Sequence, residues 1–298
     1  MSVAKYYPFN GSRGRLRLGL GQIDRADWIQ YENNYVERIQ EKSNLIKTCR
    51  KRVLDTRKGS LLAQQELLEL VIVFLQEYRK DLFTITDDEI ISLQDNITYK
   101  INEFAACPLE LVSYLAIDDY CLLKSDDNDD DYKLVAASVC APTWWELTQK
   151  IGKPLTAIHA PIAELEQTIG RMIRHFLNNL SKGEYYQRSN WFLSARPDFC
   201  IFPDKVKTYN DFKAITEQNI ESHLYLRTER QTFHKLTNSE NIAFGIKVYV
   251  EPITILKQHV AIAEDLLVGL EKMSEEQKQA TAIDTIEVAL KKYLQQIV

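Results

Sequence analysis

Two neighbouring runs of strict alternation, Leu224–Thr232 and Ile242–Val250, constrain this 298-residue chain more than any other feature. Strand side chains point alternately to opposite faces, so Leu224, Leu226, Thr228, Arg230 and Thr232 share one face while Arg227, Glu229 and Gln231 share the other. In the second run Ile242, Phe244, Ile246, Val248 and Val250 face one way, and Ala243, Gly245, Lys247 and Tyr249 the other. Arg230 continues an apolar face, where a guanidinium is costly to bury alone, which points to an anion held in a pocket. Glycine inside a strand marks the close approach of a ligand or of another backbone. A flat ligand would then lie over Ala243 and Gly245, its acidic groups at Lys247 or Arg230. The alternative that spacing leaves open is a packed sheet with a buried Arg–Glu pair.

The rest of the chain is read around these strands. Asp24 to Lys47 has helical spacing, with Trp28, Tyr31, Tyr35 and Ile39 on one stripe, and Ser60 stands where it would cap a second helix running to Tyr78. Residues 84–105 are open between a helix started by a Thr86/Glu89 capping box and a short strand at Ile97–Ile101. A short helix from Leu109 leads into a strand or turn by Leu123, with Asp118 and Asp119 set for acid–base work, a helix end or a salt bridge. Lys133–Cys140 reads as a buried strand, Pro142–Lys150 as a short helix stopped by Gly152, Leu165–Leu180 as a longer helix, and Arg188–Leu193 as the start of a strand. Two helices close the chain, the last with Ile283, Ile286, Leu290, Tyr293 and Ile297 on one face. No linker or repeat divides it. The expectation is one α+β domain over 1–298, with strands between 133 and 250 and helical ends.

Several functions are disfavoured. A net charge of -5 gives no broad basic surface for nucleic acid, and the cluster Lys47, Arg50, Lys51, Arg52, Arg57 and Lys58 reads as a solvated helix face. Five scattered cysteines without a C-x-x-C pair argue for a reducing compartment and against an internal zinc or iron–sulfur site. Met1–Asn10 lacks the apolar core of a signal peptide, and no run approaches the roughly 18 apolar residues of a membrane span. A cytoplasmic protein is expected. The Tyr6–Gly11 stretch reads as an extended arm, and Gly19-Leu20-Gly21 lacks the third glycine of a dinucleotide fingerprint. Asp126–Asp131 lacks the glycine and distal glutamate of a calcium loop, which leaves a solvated connection. His159 stands in an apolar segment stopped by Pro161, where an imidazole is either a metal ligand or a satisfied polar residue.

Four segments in order resemble the haem-dependent oxidative N-demethylase alpha-subunit family. They are Ile117-Asp118-Asp119-Tyr120-Cys121-Leu122-Leu123; Val139-Cys140-Ala141-Pro142-Thr143-Trp144-Trp145 with Lys150-Ile151-Gly152 and Ile158-His159-Ala160-Pro161; Arg188-Ser189-Asn190-Trp191; and Leu226 to Phe233. The likeness runs over roughly residues 6–295. Three places depart from it: Pro161-Ile162-Ala163-Glu164 replaces a second proline motif, Lys235-Leu236-Thr237 replaces Arg-Leu-Pro, and Lys247 replaces a strand arginine.

The resemblance implies a PAS-like antiparallel sheet with flanking N- and C-terminal helices, binding haem b. It implies removal of a methyl group from a small secondary or tertiary amine by dioxygen, with formaldehyde as second product. Electrons would come from NADPH through a flavin and iron–sulfur redox partner, and oligomerisation is compatible with this. By the same resemblance His159 is the axial iron ligand. Arg227, Arg230 and Lys247 are candidates for haem propionates, with Gly245 and Trp191 in the cofactor wall, and Asn190 and Glu229 are candidates for catalysis. The alternative function is a non-catalytic PAS-like protein that binds haem or senses a small molecule.

Overall fold

The computed structural model describes residues 19–125, 131–160 and 170–298. The arm at Tyr6–Gly11, most of the acidic run and the residues Leu165 and Ile169 lie outside them. In chain order the elements are β1 (Gly21–Ile23), α1 (Tyr35–Val53), β2 (Leu54–Thr56), α2 (Leu61–Tyr78), β3 (Phe83–Ile85), β4 (Glu89–Ser92), β5 (Ile97–Lys100), α3 (Pro108–Leu115), β6 (Asp119–Ser125) and β7 (Tyr132–Ser138). There follow α4 (Leu155–His159), α5 (Arg171–Asn178), β8 (Tyr185–Ser194), α6 (Lys205–Lys213), α7 (Ile220–His223), β9 (Tyr225–Lys235), β10 (Ile242–Pro252), α8 (Val260–Lys272), α9 (Glu275–Ala280) and α10 (Glu287–Ile297). This is an α+β fold built on an antiparallel sheet.

Seven strands form the main sheet in the order β1-β8-β9-β10-β6-β7-β2. The alternating runs are its centre: β9 and β10 pair antiparallel from Tyr225 opposite Pro252 to Lys235 opposite Ile242. β8 lies on the far side of β9, and β6 on the far side of β10. Strands therefore reach beyond the expected 133–250 span, because β1, β2 and β6, all before residue 133, complete the sheet. Residues 83–100 make a separate three-stranded meander. Ile97–Lys100 is a strand there, while Thr86 and Glu89 close a turn between strands in place of a helix start.

Register gives the sheet two faces of different character. One carries the rows Ala243–His234–Tyr185, Gly245–Thr232–Gln187, Lys247–Arg230–Ser189 and Tyr249–Thr228–Trp191. It is buried under α1–α3 and the segment Trp28–Glu32 at one end, and under the C-terminal helices at the other. Trp28 is the centre of this seam, 1% exposed and in edge or tilted contact with Phe74, Tyr120, Tyr185 and His234. The expected helix from Asp24 in fact begins at Tyr35. The residues before it bend across the sheet because Arg230 and Lys247 capture their carbonyls.

Ionisable groups hold the helices to the sheet. Lys42 of α1 donates to the carbonyls of Ala116, Ile117 and Asp118 and pairs with Asp119 at 3.3 Å. Asp119 also accepts from the Ala141 amide, so of the readings open for this pair it takes the salt bridge. Glu66 of α2 accepts from the amides of Asn238 and Ser239 and from the Ser239 hydroxyl, closing the β9–β10 hairpin. Burial pushes the Glu66 carboxyl up, but these three donors outweigh it and hold it below its ordinary value of 4.5. A carboxyl depressed in the fold contributes stability above its unfolded value and loses it as pH falls through the folded one. Glu66→Gln should therefore lower urea stability at pH 7 and flatten its decline below about pH 4.5. An unchanged acid limb in the variant would remove Glu66 from that role.

Among the described residues no helix is long and apolar enough to cross a membrane. All five cysteines are free.

Candidate functional site

The second face of the sheet is only half covered, and it gathers the polar residues that the fold leaves unused. Its rows across β10, β9 and β8 are Phe244–Phe233–Tyr186, Ile246–Gln231–Arg188, Val248–Glu229–Asn190 and Val250–Arg227–Phe192. Phe233 and Phe244 stack at 4.8 Å, and Phe176 of α5 meets Phe233 and Tyr186 edge-on. Phe192 meets Trp144 edge-on at the other end. Between these aromatic ends sit Arg188, Asn190, Glu229 and Gln231, all part-exposed.

α5 covers the Tyr186 end because Ile173, Phe176 and Leu177 fall on one stripe facing the sheet, while Arg171, Met172 and His175 turn outward. A cavity of 570 Å³ opens there, lined by residues that include Arg171, Met172, His175, Phe176, Asn179 and Tyr186. Its size falls in the range of small-molecule and cofactor sites, about 300–1,000 Å³. α4 packs on the same side, with Leu155 and Ile158 against the apolar cluster of this face and His159 as its last residue. Asp131 fixes the helix at its start, accepting from the Thr156 amide and hydroxyl, and Lys150 donates to the Ile158 carbonyl near its end. Asp131 is thus 3% exposed, unlike the solvated loop expected for that run.

Glu229 is held from both sides. The Thr143 hydroxyl accepts from Arg227 Nε at 2.6 Å and donates to Glu229 Oε1 at 2.9 Å, while Gln231 Nε2 donates to Oε2 at 3.1 Å. An arginine N–H cannot accept, so the direction of this chain is fixed, and both carboxylate oxygens act as acceptors. Asn190 stands directly opposite Glu229 on β8. Sequence reading brings Glu229 and Asn190 forward as a pair, and the register places them side by side.

The other sequence candidates are distributed differently. Arg230, Lys247 and Gly245 lie on the covered face. Arg230 is fully buried and donates to Gln187 at 2.7 Å and to the carbonyls of Trp28 and Asp27. Lys247 donates to the Gln30 carbonyl and lies 3.4 Å from Glu32; burial lowers its pKa, opposed by Asp118 and Glu32. A Cβ at Gly245 would collide with Thr232 Oγ1 and come within 3.2 Å of the Tyr120 ring. The glycine therefore admits another part of the protein, and the flat ligand expected over Ala243 and Gly245 has no room there. Trp191 sits opposite Thr228 on the same covered face, against the C-terminal apolar cluster, and so looks away from Asn190. Arg227 does share the open face with Glu229, but its guanidinium is turned into the loops, donating to the carbonyls of Ala141, Phe199 and Asp198. Burial pulls it down to about 10, so it stays charged at neutral pH. The alternative of an Arg230–Glu229 pair is not what the sheet shows, because the two residues lie on opposite faces.

Three members of the site were not singled out from sequence: Arg188, Thr143 and His175. Arg188 is two residues from Asn190 on β8, and alternation alone puts them on one face. Burial lowers its pKa, opposed by Glu229, and its Nε is buried with no hydrogen-bond partner among the described residues. Thr143 comes from a distant loop and His175 from a helix, and only the tertiary fold brings them here.

A half-open aromatic shelf, a cavity with a histidine at its edge and a carboxylate near a guanidinium whose buried Nε has no partner among the described residues form the candidate site. Comparison with known families agrees: residues 19–290 match the family model described as haem-dependent oxidative N-demethylase, alpha subunit-like. With nearly its whole length matched, and with the open face of its central sheet shaped as above, the chain belongs to the haem-dependent oxidative N-demethylase, alpha subunit-like family.

Proposed function

We propose that this protein removes an N-methyl group from a small secondary or tertiary amine, using dioxygen and haem b, and releases formaldehyde. The observation that carries the reading is the Glu229–Asn190 pair on an aromatic shelf beside the cavity. The residues that would hold haem are Tyr186, Phe176 and Phe233 for flat apolar contact and Arg171 at the cavity for a propionate, with His159, at the end of a clamped helix outside the cavity's described lining, as the imidazole. Haem, when bound, supplies the activation of dioxygen. Glu229, fixed by Thr143 and Gln231, holds the protonated amine and accepts its proton, and Asn190 orients it with one donor and one acceptor.

The balance is one amine, one dioxygen, two electrons and two protons giving the demethylated amine, formaldehyde and water. The electrons belong to a redox partner with flavin and iron–sulfur centres fed by NADPH. The five free thiols support a cytoplasmic setting.

The purified chain is expected to show a haem absorption band after reconstitution with one equivalent. His159→Ala should abolish that band, and added imidazole should partly restore it, while His175→Ala should keep it. Loss of the band in His175→Ala alone would transfer the ligand role to the histidine at the cavity. Absence of the band in the unaltered chain would end the haem reading.

A further inference from the structure

Arg188 and Glu229 stand on adjacent strands of the open face, offset by one row: Arg188 lies opposite Gln231, and Glu229 opposite Asn190. Such diagonal neighbours are roughly 7–8 Å apart, within reach of long side chains and close enough for one small molecule to touch both. The two charges are kept apart by other engagements. Glu229 is anchored by Thr143 and Gln231, while Arg188 forms no ion pair with it and leaves its buried Nε without a hydrogen-bond partner among the described residues. A guanidinium with a buried, unused N–H is a site for an acceptor, and a carboxylate is the acceptor that matches its fork.

We propose that the open face binds a zwitterion, an N-methylated α-amino acid, with its ammonium at Glu229 and its carboxylate at Arg188. This rests on the demethylase reading and narrows its substrate class. One positive and one negative group on the protein meet one of each on the ligand, so the half-buried site stays neutral when filled. A simple methylated amine brings a positive charge only. It satisfies Glu229 but leaves Arg188 unmatched and adds a like charge beside it, which is unfavourable where burial weakens screening. Asn190, between the two, can accept from the ammonium and donate to the carboxylate.

Calorimetric titration of the haem-loaded chain with N-methylglycine and with dimethylamine tests this directly. N-methylglycine should bind about tenfold tighter or more, the value of one added charge-assisted pairing. Arg188→Gln should erase that advantage by weakening N-methylglycine while dimethylamine, relieved of the like charge, binds as tightly as before or more tightly; Arg188→Lys should restore part of it, and Glu229→Gln should weaken both ligands. Because the buried Nε of Arg188 has no hydrogen-bond partner among the described residues, Arg188→Gln should keep its unfolding temperature. Equal or tighter binding of dimethylamine, or a preference that survives Arg188→Gln, overturns the proposal. Loss of the haem band in Arg188→Gln also overturns it, since the carboxylate held there would then be a haem propionate. Should the unaltered chain show no haem band, the demethylase reading fails separately, and the same titrations on the haem-free chain still decide what Arg188 and Glu229 bind.

Discussion

Arg227→Met should destabilise the protein by about 3–5 kcal/mol in urea unfolding and abolish turnover even where the fold survives. The guanidinium is 0% exposed and satisfies the carbonyls of Ala141, Asp198 and Phe199 as well as the Thr143 hydroxyl. Methionine fills similar space and supplies no donor, so buried acceptors from two separate loops lose their partner together. The loss of turnover has a different origin. Without Arg227 Nε, the Thr143 hydroxyl is free to rotate from Glu229, and the carboxylate keeps only its bond from Gln231. Arg227→Lys should recover part of the stability and little of the activity, because an ammonium cannot repeat the fork. A variant that retained both would show that the loops hold themselves.

Trp28→Ala should cost about 3–5 kcal/mol, the range for removing a buried large aromatic side chain. The indole lies between α2, β6, β8 and β9, touching Phe74, Tyr120, Tyr185 and His234. Its carbonyl is one of those held by Arg230, so the truncation also loosens that contact. Trp28→Phe should recover more than half of the loss. Thermal unfolding of the two variants beside the unaltered chain is the measurement, and a shift under about 2 °C for the alanine variant would contradict this packing.

How far the fold was legible follows from these same residues. The alternation at Leu226–Thr232 and Ile242–Val250 gave both strands and the membership of each face, because a period of two is a local property. Which face lies open is not local. The Gly245 face looked available because its residues are small and cationic, yet its cover comes from Trp28–Glu32, some 200 positions earlier in the chain. Arg230 was read as an anion site on the rule that a buried guanidinium needs a counter-charge. Backbone carbonyls answer that need equally well, and a sequence does not display its carbonyls. Glu229 and Asn190 emerged from resemblance and were brought together by register; Arg188, two residues from Asn190, was within reach of alternation, whereas Thr143 became visible only in the tertiary fold.

The bonds from Arg230 to Asp27 and Trp28 join residues 203 and 202 positions apart. Contacts of that separation slow folding, since the chain must close a long loop before it gains from them. At about 5–20 residues per second, the segment around Trp28 leaves the ribosome roughly 10–40 s before β9 is made. Through that interval the exposed indole and its neighbours have no sheet to cover, so the N-terminal third cannot reach its native packing. The two halves of this protein are therefore expected to fold poorly as separate fragments, and to recover the native spectrum when mixed.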